Sequence, residues 1–228
     1  MSVTAASASA TLTADEIVVE TALGGLRYCL ANFNKTINLA TTGAGGMDTG
    51  AAPTSGYVAL YAIYNPTTGA SALLATNAAT KQNNVYSGAN MPSGYTASAL
   101  VSVWPTNSSS QLVVGYQTDR IVNIVRASAI NTTTQAASLT SLSISSLVPQ
   151  NARALFGDVQ ITSSVNTAVV TLGLAPSSAS VGGLNSQTYG ASQVPYQLSL
   201  ITPQTVFYSA TISGGTMTFV LWINGYMI

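Results

Sequence analysis

The sequence has very little charge and no histidine. Its 228 residues include six lysines and arginines and six aspartates and glutamates, so the formal net charge is zero. A soluble domain of ordinary composition is about 25% charged, whereas this chain is 5% charged. Serine, threonine, asparagine, glutamine, glycine and alanine must therefore supply most of the surface, which predicts a polar but nearly uncharged exterior.

The absence of histidine removes the usual base for a serine or cysteine nucleophile. A lysine base would have to be Lys35 or Lys81, and neither lies in an S-x-x-K spacing. Glycoside hydrolysis needs two carboxylates about 5–9.5 Å apart, and no evident pair exists among the acids. These are Asp15, Glu16, Glu20, Asp48, Asp119 and Asp158. We therefore expect that the protein is not an enzyme and uses no cofactor or metal. Calcium bound by Asp48 and backbone carbonyls is the alternative, which no motif supports.

No cysteine pair, secretory signal or basic cluster is evident in the sequence. The lone Cys29 cannot form an internal disulfide and is interpreted as a small buried residue of a protein made in a reducing cytoplasm. No secretory signal peptide is evident, and the longest strongly apolar run, residues 57–64, is too short to span a bilayer. Basic residues are scattered from Arg27 to Arg153, which argues against a nucleic-acid partner.

The N-terminal region contains two different patterns. Residues 1–11 are small and polar, and we interpret them as a flexible tail or a strand that fits into a socket. Thr13 and Glu16 then have the spacing of a helix capping box, which predicts a short helix from residue 14 to about residue 23. The β-branched run 17–19 leaves a strand as the alternative.

After Gly25, apolar residues recur with period two in segments separated by turn residues, which predicts β-strands. The first series of strand candidates is 36–40, 57–64, 98–104, 111–116 and 120–125, and the second is 139–147, 154–161, 168–174, 196–201, 206–212 and 217–223. The last of these places Met217, Phe219, Leu221 and Ile223 on one buried face.

A linker-like stretch at residues 126–135 separates the two series of strands. The predicted fold class is therefore all-β, with two antiparallel β-sandwich-like domains preceded by a short N-terminal tail and helix. The expected domains are a flexible tail at 1–11, an N-terminal β domain with its leading helix at 12–130, and a C-terminal β-sandwich tip domain at 131–228.

Tyrosine is the abundant residue with recognition chemistry, since eleven tyrosines and two tryptophans outnumber four phenylalanines. Tyrosine offers an apolar ring and a hydroxyl, which suits the binding of sugars. Two long polar segments, 76–95 and 175–195, are predicted to be binding loops. The candidate glycan-binding residues are Tyr189, Tyr86, Tyr95, Asn90, Asn185 and Gln187. The glycine-rich stretch 42–46 has no following Gly-Lys-Ser/Thr, so it predicts a surface loop rather than a phosphate site.

Two parts of the sequence resemble a known group of proteins. The segments SGYVALYAIYNP at 55–66 and YSGANMPSGYTASALVSVWPTN at 86–107 are similar to a domain of tail-fibre and related virion proteins of tailed bacteriophages. The C-terminal part, with VPY at 194–196, PQTVFY at 203–208 and INGY at 223–226, resembles the fibre-tip domains of the same proteins.

This resemblance implies a non-enzymatic virion protein, made in the host cytoplasm, that serves as a tail fibre or receptor-binding tip. It would form a homotrimer, attach to bacterial surface glycan, and dock to other virion proteins through its N-terminal segment. The alternative is a structural head, tail or baseplate decoration protein that binds other virion subunits. Neither function involves nucleic acid or membrane insertion.

Overall fold

The protein is all-β, as the sequence predicted. The computed structural model describes residues 1–228, with 58% of them in strands and no helix. No helix has the length and hydrophobicity that a membrane crossing requires. The strands are β1 (Ser2–Val3), β2 (Ser9–Glu20), β3 (Arg27–Asn38), β4 (Tyr57–Asn65), β5 (Ala70–Asn77), β6 (Ala97–Pro105), β7 (Gly115–Thr118), β8 (Ile121–Thr132), β9 (Ala136–Ser143), β10 (Ala154–Ser163), β11 (Val169–Ala175), β12 (Leu184–Tyr189), β13 (Ala191–Ser199), β14 (Thr205–Ile212) and β15 (Met217–Met227).

The chain divides into two compact units. Unit 1 contains Met1–Val122 and the short segment Pro149–Asn151, and unit 2 contains Asn123–Val148 and Ala152–Ile228. The expected boundary between residues 130 and 131 lies within β8. Within the expected tail 1–11, Ser2–Val3 pairs with β7, and β2 already begins at Ser9.

The predicted N-terminal helix is wrong, because residues 9–20 form β2. This strand pairs with β3 along its whole length, from Ser9 opposite Asn38 to Glu20 opposite Arg27. A helix would stabilise itself through local hydrogen bonds alone, whereas the hairpin supplies a full antiparallel ladder and buries Leu12 and Val19. The long-range ladder with β3 therefore decides this segment in favour of the strand alternative.

Unit 1 is built on a five-stranded antiparallel sheet with the strand order β3-β2-β6-β4-β5. The β4–β5 hairpin turns through residues 65–69, where Asn65 Oδ1 accepts the N–H groups of Thr67 and Thr68. Strand β4 is buried on both faces, since every residue from Val58 to Ile63 is almost fully inaccessible. One face of β4 therefore packs into the core of unit 1, and a second layer of the chain covers the opposite face.

The glycine-rich stretch does not behave as a free surface loop. Gly45 accepts the N–H of Asn38 at the end of β3 and donates its own N–H to Leu73 of β5. Gly46 accepts the N–H of Ala75, and Asp48 donates its N–H to the Ala75 carbonyl. The segment thus links the two edge strands of the sheet, β3 and β5, by backbone hydrogen bonds. A side chain at Gly46 would place its Cβ 2.4 Å from the Thr41 carbonyl oxygen, which explains the glycine.

Unit 2 is a β-sandwich of two antiparallel layers. One layer has the order β12-β11-β14-β9, and the other contains β8-β15-β10-β13. The rings of Tyr208 on β14 and Phe219 on β15 stack across the layers with centroids 5.1 Å apart. The predicted inward face of β15 is confirmed, because its four alternating apolar residues are at most 1% exposed. They are Met217, Phe219, Leu221 and Ile223.

Candidate functional site

Three of the predicted binding residues lie on a strand rather than in a loop. The expected loop 175–195 contains β12 and part of β13, and only residues 176–183 and Gly190 lack strand structure. Strand β12 lies at one edge of its sheet and pairs with β11 from Leu184 to Tyr189. The signal that could have indicated this strand is the alternation in LNSQTY, where the larger polar side chains Asn185, Gln187 and Tyr189 occupy every second position.

Asn185, Gln187 and Tyr189 share the outer face of the four-stranded sheet. Side chains at alternate strand positions point to the same face, so these three form a line about 13 Å long. All three are exposed. The structure therefore brings together the three candidates that sequence reasoning had placed in this segment.

Neighbouring strands extend this line into a polar surface that we call the outer face. Gln187 lies opposite Thr171 of β11, and Thr171 lies opposite Thr211 of β14. In the next row, Gly173 separates Asn185 from Ser209. The outer face consists of Asn185, Gln187, Tyr189, Val169, Thr171, Gly173, Phe207, Ser209 and Thr211. None of its residues is charged, and neither is any other residue of these four strands.

Gly173 leaves room over its backbone for two polar side chains of the outer face. A Cβ at this position would lie 2.5 Å from Ser209 Oγ and 2.8 Å from Asn185 Oδ1. The hydroxyl and the amide carbonyl therefore converge over the glycine backbone from two sides. Such paired neutral groups can accept and donate hydrogen bonds to a hydroxylated ligand.

Tyr189 is a strongly exposed aromatic residue on a well-fixed backbone. Its side chain is 69% exposed. The adjacent Gly190 donates its N–H to Ala168 and accepts the N–H of Ser163, and it adopts a left-handed φ of 69°. Ser186 and Ser192 are hydrogen-bonded at 2.9 Å across the same connection. The backbone on either side of Tyr189 is thus fixed, while its side chain stays open to a ligand.

Tyr86 has a different environment, in unit 1. Its hydroxyl donates to Asp48 Oδ2 at 2.8 Å, and its ring packs edge-on against Tyr61 with centroids 5.4 Å apart. Its backbone N–H donates to Ser98 Oγ. Burial and then the hydrogen bond to Asp48 raise the pKa of Tyr86 to about 12. These contacts make Tyr86 an anchor of the loop that covers β4.

Asn90 and Tyr95 lie in the same loop, which spans residues 78–96 between β5 and β6. Asn90 is exposed, and its backbone N–H donates to the Tyr86 hydroxyl, a contact that acts to lower the Tyr86 pKa, against the larger effects of burial and Asp48. Tyr95 is half-buried, with its N–H donated to the Pro92 carbonyl. The six candidate residues therefore fall into one group in each unit.

A further cluster, on the opposite sheet of unit 2, was not singled out by sequence reasoning. Arg126 makes a two-point hydrogen bond to Asp158, whose Oδ2 also accepts from Gln193 Nε2 at 2.8 Å. The Arg126 guanidinium lies 4.1 Å from the centre of the Trp222 ring. Because the guanidinium covers this ring face, the indole is not open to a stacking ligand there.

Asp48 in unit 1 and Asp158 in unit 2 are each engaged in a hydrogen bond with another side chain. Asp48 accepts from Tyr86 and Asp158 accepts from Arg126. No group of three or more His, Cys, Asp or Glu side chains is placed so that it could hold a metal ion. The outer face therefore offers stacking and neutral hydrogen bonding as its chemistry.

Comparison of the chain with models of known families, with curated proteins and with solved structures finds no match in any of the three.

Proposed function

We propose that this protein is a non-enzymatic bacteriophage virion appendage, a tail fibre or receptor-binding tip, that attaches to bacterial surface glycan through the outer face. The observation that carries the proposal is the line of Asn185, Gln187 and Tyr189 on a sheet without any charged residue. Sugars are bound by stacking on aromatic rings and by neutral hydrogen bonds, and this face supplies both.

The uncharged character of the outer face supports a glycan over other classes of partner. Nucleic acids require clustered lysine and arginine, and unit 2 has only Arg126 and Arg153 as basic residues. Arg126 is already paired with Asp158. A neutral or weakly charged polysaccharide therefore fits the surface best.

Trimerisation is part of the proposal, because single sugar contacts are weak. Three copies in one particle raise the effective concentration at the second and third sites, so that weak contacts add up to stable attachment. A surface with zero net charge also offers little electrostatic resistance to self-association.

A polysaccharide-binding assay with the pure, full-length protein tests this function. We expect binding to at least one immobilised lipopolysaccharide or capsular polysaccharide, with no release of reducing sugar. Because no charge takes part, the affinity should change less than about twofold between low and high salt. A strong loss of binding at high salt would show that charged groups carry the interaction, and binding to virions but to no polysaccharide would favour the decoration function instead.

A further inference from the structure

A wedge-shaped cleft opens inside the sheet of unit 1. Strands β2 and β6 are neighbours in the strand order, but they pair only where Glu20 lies opposite Ser98. Beyond that point the two strands separate and leave a cleft of about 1040 Å³. Its lining consists of residues 12–18 of β2, 32–34 of β3, 99–101 of β6 and 117–120, together with Met1.

The β2 wall presents a strand edge to the cleft. Seven consecutive residues, Leu12 to Val18, line it. The other edge of β2 is already paired with β3. Backbone N–H and C=O groups of β2 that point away from β3 therefore face the cleft over a length of about 20 Å.

The β6 wall, in contrast, is capped by side chains. Gln117 Nε2 donates to the Val101 carbonyl at 2.7 Å, and Arg120 Nη1 donates to the Leu100 carbonyl at 3.0 Å. Gln117 Oε1 is itself buried without a hydrogen-bond partner. The cleft thus has one open strand edge, that of β2, and a buried acceptor in its opposite wall.

The charges around the cleft are mainly acidic. The carboxylates are those of Asp15, Glu16 and Asp119. Arg120 is the one basic side chain among the lining residues, and it already donates to a backbone carbonyl. The amino group of Met1 also lies here and donates to the Gln117 carbonyl. A ligand with a positive charge is therefore favoured over one with a negative charge.

We propose that this cleft binds an extended peptide segment of a partner protein, which adds as a strand to the open edge of β2 and places a lysine or arginine side chain among Asp15, Glu16 and Asp119. Addition of a strand to an exposed edge is a common mode of peptide recognition, in which main-chain hydrogen bonds give affinity and side-chain positions give specificity. The site lies wholly in unit 1 and does not depend on glycan attachment by the outer face.

Hydrogen exchange on the full chain, with synthetic peptides as probes, tests this proposal. The first probe is a seven-residue peptide in which valine alternates with lysine and threonine, and the second has glutamate in place of lysine. We expect the lysine peptide to bind with a dissociation constant of about 100 µM or lower and to slow amide exchange at least about tenfold within residues 12–18. The glutamate peptide should bind at least about tenfold more weakly.

Two controls separate strand addition from charge attraction. The lysine peptide with alternate N-methylated amides keeps its charge but cannot form the ladder, so it should not protect residues 12–18. Asp15→Asn should weaken binding of the lysine peptide several-fold, whereas Glu20→Gln, outside the cleft, should not.

Three outcomes would overturn the proposal. These are no binding of the lysine peptide, equal binding of its N-methylated form, and protection of β2 by a neutral oligosaccharide instead of by either peptide.

Discussion

The hydroxyl of Tyr86 donates a hydrogen bond of 2.8 Å to Asp48 Oδ2. This contact joins the loop 78–96 to the segment that connects the two edge strands of unit 1. The ring of Tyr86 also covers Tyr61, whose own hydroxyl donates to the Asn83 carbonyl of the loop. A loop that looks like a recognition surface in the sequence is thus the second layer over β4.

The first prediction concerns the stability that this contact provides. Tyr86→Phe should lower the free energy of unfolding by about 1.5–3 kcal/mol, because a hydrogen bond to a charged acceptor is lost in a partly buried setting. Asp48→Asn should lower it by less, because the asparagine Oδ1 can still accept from the Tyr86 hydroxyl. Tyr95→Phe, in the same loop, is the matched control and should change it by less than about 0.5 kcal/mol. Urea denaturation measures all three. Equal effects at Tyr86 and Tyr95 would show that the Asp48 contact is not the anchor.

The second prediction is a loss of stability at alkaline pH. Burial raises the pKa of Tyr57, Tyr61 and Tyr196, and burial with the Asp48 contact raises that of Tyr86 to about 12. Tyrosine ionises at a pH of about 10 in the unfolded chain. From that pH up to about 12, the folded state therefore binds more protons than the unfolded state. The free energy of unfolding should therefore fall as pH rises through this range.

Tyrosinate absorbance in the folded protein provides the check on this account. In Asp48→Asn the ionisation of Tyr86 should move to lower pH, since the carboxylate no longer disfavours the phenolate. An unchanged titration in that variant would contradict the assignment.

The sequence predicts the all-β class and many strands, because period-two patterns in β4, β6, β14 and β15 are long and apolar. It fails at β2, where the spacing of Thr13 and Glu16 imitates a helix start. A local capping pattern contains no information about Arg27–Asn38, the strand that supplies a complete ladder of hydrogen bonds to β2. The long-range partner, rather than local preference, determines this strand.

The candidate site could be predicted only in part. Small polar residues surround Tyr189 in the sequence, with no apolar periodicity that would place it in a core, and in the structure it is strongly exposed. The strand that aligns it with Asn185 and Gln187 was missed, since β12 has few apolar residues and lies at a sheet edge. Tyr86 looked equivalent in sequence, but its partner Asp48 lies 38 residues away, and no local pattern could have indicated that contact.

The third prediction tests the bulge in β10. The register with β15 shifts between Phe156 and Gly157, and a Cβ at Gly157 would lie 1.9 Å from the Trp222 carbonyl oxygen. That oxygen also accepts the Tyr196 hydroxyl. Gly157→Ala should therefore destabilise unit 2 by at least about 2 kcal/mol.

The matched control is Gly214→Ala, where a Cβ would meet no atom within 4 Å. Its melting temperature should stay close to that of the parent protein. If both variants melt alike, the close approach at Gly157 does not constrain the sheet.

The fourth prediction is the oligomeric state. We expect light scattering at micromolar concentration to give a mass about three times the 23.2 kDa of one chain. Salt should have little effect on this mass, because the surface charge that could be screened is small. A monomer at that concentration would remove the avidity on which the attachment proposal relies.

The most direct test of the account is the effect of Tyr189→Ala on polysaccharide binding, compared with Tyr116→Ala as a control. Tyr116 lies on β7 in unit 1 and is 55% exposed, against 69% for Tyr189, so both changes remove an exposed ring. We expect Tyr189→Ala to weaken binding about tenfold, or about 1.4 kcal/mol, without a change in melting temperature, and Tyr116→Ala to leave binding intact. Unchanged binding by Tyr189→Ala, or an equal loss in both variants, would contradict attachment through the outer face.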